Sequence, residues 1–421
     1  MDNVTHSIAG LLLAESAVRL RERLEGTEPV RGERGGDRRF RTFAAISSML
    51  AANLPDADLF YTGVGGDRLG YMLHHRGHTH TVLIALFGAL LLWGATYLVW
   101  RWRSRATPAR DDARWLLGLL LAGTLSHLLL DWTNSYGVHP FWPFDNRWRY
   151  GDAVFIVEPL FWAVSVPTLV AASTSRVARV ALSIVLAIGL VLVWRVDLVS
   201  TGAAAAVTAT AALFVLLARL TRPGVRVLAS VAAWLAVTLA MAAGTASARE
   251  SVTAAVRRAD PSAELLDAVV TPTPSNAVCT SVITVERSGA SYRVATARVS
   301  SVPAITEASA CGTRDRSGPM FRASRRASTP AVQWDQEWSA PHAELATLAR
   351  ESCPALAALR FIRVPAWRAL DASTVMIGDV RYGGASGGGF SDVRVPRRSA
   401  TCPETVPPWV PPRADLLEPA D

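Results

Sequence analysis

Apolar residues along this chain come in long runs separated by short arginine-rich loops. Residues 82–100 make a 19-residue run without a charge, and 115–130 a 16-residue run interrupted only by His127. Further runs cover 153–175 (23 residues, one Glu), 180–194 (15), 198–218 (21) and 227–248 (22). A helix needs about 20 apolar residues to cross a bilayer, and shorter ones span with tilt or with help from flanking residues. The six runs therefore predict a polytopic α-helical membrane domain over residues 1–248. Two weaker runs precede them, 3–18 (16 residues) and 42–54 (13 residues). They read as half-buried helices, a re-entrant pair or short spans. The first does not read as a signal peptide, because it opens on Asp2 without an Arg and shows no clear small-residue cleavage site.

After Ala248 the pattern changes. The sequence is polar, punctuated by Pro and Gly, and holds no run long enough to span. Residues 281–299 alternate in places around Ser288-Gly289-Ala290, which predicts a β-hairpin. Residues 361–364 and 375–382 read as further strands, and 383–389 as a flexible glycine turn. A small β-rich domain over residues 249–421 is expected outside the membrane.

Composition sharpens this reading. Over 421 residues the chain is 50% apolar, with a mean hydropathy of +0.24. That excludes three soluble domains, and it excludes disorder as the main state. The net charge of +8 first raises nucleic acid as a partner. All 43 basic residues are Arg, which reads as codon bias beside abundant Ala and Val. Their placement points elsewhere. Loop 19–41 holds eight Arg and loop 101–114 five; Arg176 and Arg179, then Arg219, Arg222 and Arg226, fill the next two loops on the same side. The alternate loops hold only Arg68, Arg76, Arg147, Arg149 and Arg195. Excess Arg marks cytoplasmic loops, so eight crossings with both termini outside the cytoplasm are expected. If the first two segments lie flat, the other six keep that orientation. No nucleic-acid partner is expected. All four cysteines, Cys279, Cys311, Cys353 and Cys402, fall in the tail without a CxxC pair. Four cysteines permit three pairings, and an oxidising compartment would favour disulfides.

The chemistry-bearing residues concentrate at the other end. Seven of the eight histidines lie at or before position 139. His6 stands four residues after Asp2, on one helix face. Asp56 and Asp58 follow Pro55 at the end of the second weak run, where an extended stretch would point both carboxylates one way. His74, His75, His78 and His80 place four imidazoles in seven residues before the first long run. Packing does not explain such a cluster, and neutral imidazole is a common metal ligand. His127 and Asp131 share a helix face at the far end of the second long run. Ionisable groups inside a span are costly and mark function. Asp152 and Glu158 open the third run. Phe141, Trp142, Phe144, Trp148 and Tyr150 look like an interfacial aromatic belt. The arginine-derived topology puts every one of these ionisable residues at the outer ends of the helices, at one depth on one face.

The same residues resemble the YdjM-like family of membrane-bound metal-dependent hydrolases, including its YfhP-like branch. The matching pieces are Met1-Asp2 with Thr5-His6, Pro55-Asp56-Ala57-Asp58, His75-Arg76-Gly77 with Thr79-His80, His127 with Asp131, Asn134 to Gly137, and Phe155 to Pro159. Together they cover roughly residues 1–165 in order. Thr81 stands where the family usually has Ser, and Glu158 where Asp-Pro is usual. The Thr-His start, the Pro-Asp turn and the His-x-x-x-Asp step also loosely resemble zinc-dependent phospholipase C proteins. The resemblance implies a hydrolase without naming its substrate.

A mixed imidazole and carboxylate set suits one or two divalent metal ions, zinc first, with manganese or iron as alternatives. His6, Asp56, His80, His127 and Asp131 are the expected ligands. His75 and Asp58 either ligate or orient the ligands. Asp152 or Glu158 is the expected general base, and Arg76 or Arg147 would hold an anionic group. The expected reaction is hydrolysis of an ester or phosphoester, lipid-like or lipid-linked, at the outer membrane interface among membrane lipids. The competing expectation is a non-catalytic membrane protein, either a metal or proton carrier or a regulatory scaffold. A carrier should place ionisable residues along several spans, yet the last three runs have none except at their ends.

Overall fold

The computed structural model describes residues 1–26, 38–62, 68–312 and 320–417. The middle of the first Arg-rich loop, 27–37, lies outside them. The first half is helical: α1 Asn3–Leu24, α2 Arg38–Ala51, α3 Leu59–Thr62, α4 Arg68–His74, α5 Val82–Ser104, α6 Arg110–Trp132, α7 Pro159–Ala172, α8 Arg176–Arg195, α9 Thr201–Leu220 and α10 Pro223–Ala259. Among the described residues, five helices (α5, α6, α8, α9 and α10) are long and apolar enough to cross a membrane. Their apolar side chains, such as Leu91, Leu98, Ile184 and Leu239, stay exposed, as lipid-facing side chains do.

The expected span over 153–175 is shorter than its hydropathy implied. Residues 153–158 are non-helical, and the helix starts at Pro159, whose missing N–H suits a first helical position. The Glu158 carboxylate caps it by accepting from the Leu160 amide at 3.0 Å. The resulting 14-residue α7 is buried along almost its whole length among α1, α8, α9 and α10. Its continuous apolarity therefore reflects protein on every side.

The two weak N-terminal runs both form helices packed in the bundle, and α1 runs its length. α1 lies antiparallel to α6: His6 meets Asp131 at one end, and Arg21 pairs with Asp112 at the other. α2 is wedged between α1 and α6 by small residues. A Cβ at Gly10 would sit 2.6 Å from the Ser48 carbonyl oxygen, and one at Gly123 would sit 2.9 Å from the Ala51 Cβ. Such close backbone approach is typical of helices packing in membranes. Charge on the inner faces of α1 and α2 is paired: Arg19 binds Glu15 and Glu22, and Arg41 binds Glu15. Low mean hydropathy hid these helices because their polar residues face protein partners.

The second domain is not separated from the first by a linker. α10 has 37 residues, about 55 Å at 1.5 Å per residue, and so outruns a bilayer core of about 30 Å. It continues through Ala248, where the tail was expected to begin. Its last turns, with Val252 and Val256, pack on a five-stranded antiparallel sheet of order β1-β2-β3-β5-β4. These strands are β1 Glu264–Thr273, β2 Asn276–Ser288, β3 Ser291–Ser300, β4 Arg322–Ala323 and β5 Val332–Pro341. β2 and β3 form the expected hairpin, turning at Gly289 with φ +56°. Helices α11 His342–Glu351 and α12 Cys353–Leu359 follow, then a three-stranded sheet of β6 Pro365–Ala369, β7 Thr374–Asp379 and β8 Val393–Pro396. The strand expected at 361–364 is instead the turn into β6. Disulfides join Cys279 to Cys311 and Cys353 to Cys402.

This β-rich domain sits on the ionisable end of the helical bundle. Trp148 donates to the Arg360 carbonyl oxygen, and Trp409 donates to that of Leu73. Leu69, Met72, Tyr136 and Trp148 share a core with Phe361, Ile362 and Val380. Trp148 and Tyr150, expected in a lipid-facing belt, are therefore part of the contact between domains, whereas Phe144 stays exposed.

Candidate metal centre

Four side chains converge where α1, the turn after α2, the turn before α5 and the end of α6 meet. The His80 Nε2 lies 3.1 Å from Asp131 Oδ2, 3.4 Å from Asp56 Oδ1 and 3.1 Å from the His127 Nε2. The His127 Nε2 lies 3.5 Å from both Asp56 Oδ1 and Asp131 Oδ2. Ligand atoms of Asp56, His80, His127 and Asp131 all fall within 4.8 Å of one another, and all four residues are buried. His6 joins them from α1. Its ring stacks on His127 at 3.7 Å, and its Nε2 lies 3.3 Å from Asp131 Oδ1. The Met1 amino group also contacts Asp131.

Each element arrives for a local reason. Asp56 comes on a 3-10 turn, Leu54–Asp58, that begins where Pro55 stops the helical path of α2. His80 sits in a second short turn, His78–His80, directly before Thr81 caps α5. His127 and Asp131 are one turn apart on α6.

The backs of the imidazoles are tied. His127 Nδ1 is 2.7 Å from the Ala52 carbonyl oxygen, which can only accept, so Nδ1 carries the proton and Nε2 presents a lone pair. His80 Nδ1 is 3.1 Å from the Thr79 hydroxyl and 3.4 Å from Asp58 Oδ2. The two Nε2 atoms then face each other among carboxylate oxygens. In the protein alone a proton on His80 Nε2 bridges them, and a divalent cation would take that proton's place. Buried Asp131 Oδ2 and His6 Nδ1 have no hydrogen-bond partner among the described residues. This donor set fits a divalent metal.

Asp58 orients rather than faces the centre. It accepts from the Arg76 amide at 2.9 Å and the Thr79 hydroxyl at 3.0 Å, and its other oxygen lies 3.0 Å from His75 Nδ1. Asp56, Asp58 and His75 form a second potential donor group beside the first. Arg76 adopts φ +58°, a left-handed conformation rare outside Gly. Its guanidinium reaches Asp131 at 3.0 Å and donates to Asn134 Oδ1 at 3.0 Å, over the Tyr136 ring. Arg76 is thus at the centre, but as a partner of Asp131.

The electrostatics follow from three carboxylates gathered around one guanidinium. Burial alone would raise the Asp56 pKa, but bonds from His127 and His80 hold it well below the usual carboxylate range. Asp58 is lowered in the same way by His75 and His80, again against burial. Burial disfavours a charged His80, yet Asp131, Asp56 and Asp58 push it up to about 10 in the protein alone. The pocket carries excess negative charge that a divalent cation would offset.

The two expected bases lie elsewhere. Asp152 is gripped by Arg363, with bonds of 2.8 and 3.0 Å, and by Arg249 at 3.0 Å. Glu158 accepts from the Ser275 amide and hydroxyl, both at 2.9 Å, while capping α7. Both carboxylates join the bundle to Ser275 and Arg363 of the β-rich domain, partners more than 100 residues away in the chain. Arg147 is exposed and binds Asp145. Two supporting residues were missed. Asn3 donates to Asp56 Oδ2 at 2.9 Å; its place three residues before His6 was the available signal. His139, buried and stacked on Trp409 at 3.8 Å, contacts the Arg76 carbonyl oxygen. Burial drives its pKa down to about 3, so it packs as a neutral ring.

The chain is similar to known proteins over the region that holds the centre. The uncharacterized protein YfhP of Bacillus subtilis (strain 168) is 27% identical over 148 residues, which cover 35% of this chain and 39% of that protein. The aligned part is thus well under half of the relative's length. No solved structure matches. Residues 1–204, which hold every residue of the centre, match the family described as YdjM inner membrane protein. Over those residues the chain is similar to the YdjM family that its motifs resemble.

Proposed function

We propose that this membrane protein is a metal-dependent hydrolase acting on an ester or phosphoester at the membrane interface. The observation that carries the reading is the convergence of the His80 and His127 Nε2 atoms on Asp56 and Asp131, with both Nδ1 atoms tied back. Asp56, His80, His127 and Asp131, with His6, would hold a divalent ion, zinc first by donor type and manganese or iron next. Such an ion supplies Lewis acidity and lowers the pKa of a water.

The chain's own residues do the rest. Asp58 fixes His75 through Nδ1, which leaves Nε2 at the rim of the centre to accept and return a proton. This replaces Asp152 and Glu158 as the proton carrier. Arg76 steadies Asp131 and offers a positive charge beside the reacting group. The β-rich domain roofs the centre, and His6, His80, His127 and Asp131 are fully shielded from water. Oxidised cysteines in that domain and the arginine loop pattern support an extracytoplasmic roof. Protease added to intact spheroplasts should then remove the β-rich domain.

The test is a screen of detergent-purified protein against phosphodiester, phosphomonoester and carboxylester substrates, with and without chelator. Turnover that chelator removes and a divalent metal restores is the expected result. Absence of chelator-sensitive turnover in every class, with metal bound, would favour a carrier or scaffold.

A further inference from the structure

An apolar groove lies beside the centre, with Asn3, which bonds Asp56, in its lining. It has a volume of about 750 Å³ and runs between one face of α1 and α2 and the first half of α8. Ile8 and Leu11, Ala45 and Met49, and Leu182 and Val185 make its apolar walls. On α1 the lining extends from Asn3 to Val18, about 22 Å at the helical rise. That exceeds the depth of one leaflet, about 15 Å if the hydrocarbon core is about 30 Å.

Three features identify an occupant. The groove's open side is continuous with the lipid-facing surface, where Val4, Ile46 and Ile184 stay exposed. Its apolar lining and its volume, within the size range of ligand sites, leave room for a hydrocarbon chain. One end abuts the metal centre, while the other carries the paired Glu15 and Arg41 with Thr174 and Ser175. Asn3 lines the groove and bonds Asp56, and Ser7, also in the lining, accepts from Asn53. We propose that this groove holds one hydrocarbon chain of a membrane lipid, with the lipid's ester-linked head directed to the metal centre. The inference rests on the hydrolase reading for the fate of the head and names the substrate class as an amphiphile drawn laterally from the bilayer.

The experiment uses the full-length protein in liposomes of phosphatidylethanolamine and phosphatidylglycerol, doped with a phosphatidylglycerol bearing a diazirine at one acyl terminus. After irradiation, peptide mass spectrometry locates the label. With the head at Asn3, the chain terminus should label the far end of the groove, at Glu15, Thr174 and Ser175. Ala45→Trp and Ala181→Trp fill the groove from opposite walls. Each should cut that labelling by roughly tenfold, since a filled groove admits no chain, while labelling of Leu91 and Leu98 on α5 stays constant. The two variants guard against misfolding in either. Groove labelling no stronger than that of α5, or unchanged by both substitutions, would overturn the inference. Chelator-sensitive turnover of a short water-soluble ester is read in parallel. If it persists without groove labelling, only the groove inference fails. If labelling occurs without turnover of any ester, the hydrolase reading fails and the lipid site stands.

Discussion

Replacing Arg363 tests the reassignment of Asp152 from chemistry to architecture. The Arg363 guanidinium is buried and forks between two carboxylates, Asp152 at 2.8 and 3.0 Å and Asp267 at 2.8 and 3.1 Å. Its face also lies over the Tyr150 ring at 4.1 Å. Arg363→Met keeps most of the volume and strands both acids. Removing one partner of a buried ion pair costs about 3–5 kcal/mol. Here the lower end applies, because Arg249 still reaches Asp152 and Arg413 lies 3.6 Å from Asp267. About 3 kcal/mol corresponds to roughly a hundredfold change in an opening equilibrium. Hydrogen exchange on β1 and β6 in the detergent-solubilised protein reads that change as faster exchange of strand amides. Asp152→Asn should destabilise by less, since an amide can still accept from Arg363, and should leave turnover within a few-fold of wild type. Loss of turnover in Asp152→Asn with normal exchange rates would refute the reasoning and restore Asp152 as a base.

Other expectations follow from the same geometry. Gly123→Leu should push α2 off α6, pull Ala52 from His127 and weaken metal binding by about tenfold or more in a competition titration, as loss of an orienting bond does. Asp58→Asn should lower metal affinity by about 10–100-fold through His80 and also slow turnover at saturating metal through His75; unchanged values on both counts would remove Asp58 from the centre. Cys279→Ser with Cys311→Ser opens a cross-link spanning 32 residues, and should cost about 3–4 kcal/mol in urea unfolding of the β-rich domain. Little or no loss would mean that the pair is reduced in the native protein.

Much of the centre was legible because metal chemistry uses few residue types. His6, Asp56, His80, His127 and Asp131 stood out as polar groups beside apolar runs, and the structure brings them together. The arginine pattern of the loops also predicts one face for them. What failed depended on distant partners. Asp152 and Glu158 looked like free carboxylates in an apolar setting, but Arg363 and Ser275 answer them from the second domain. Helices α1 and α2 were ambiguous because buried pairs such as Arg19–Glu15 read as surface charge in one dimension. The run at 153–175 misled because burial in protein and burial in lipid give the same hydropathy.

The central claim is that Asp56, His80, His127 and Asp131 hold a divalent metal that the reaction needs. Elemental analysis of detergent-purified protein, run beside Asp131→Asn and His127→Ala variants that remain monodisperse, tests it most directly. The expected result is about one tightly held divalent ion per chain, or two if the adjoining Asp56, Asp58 and His75 group also fills, with the metal lost from both variants along with turnover. Wild-type protein free of divalent metal, or variants that keep their full metal content, would contradict the account.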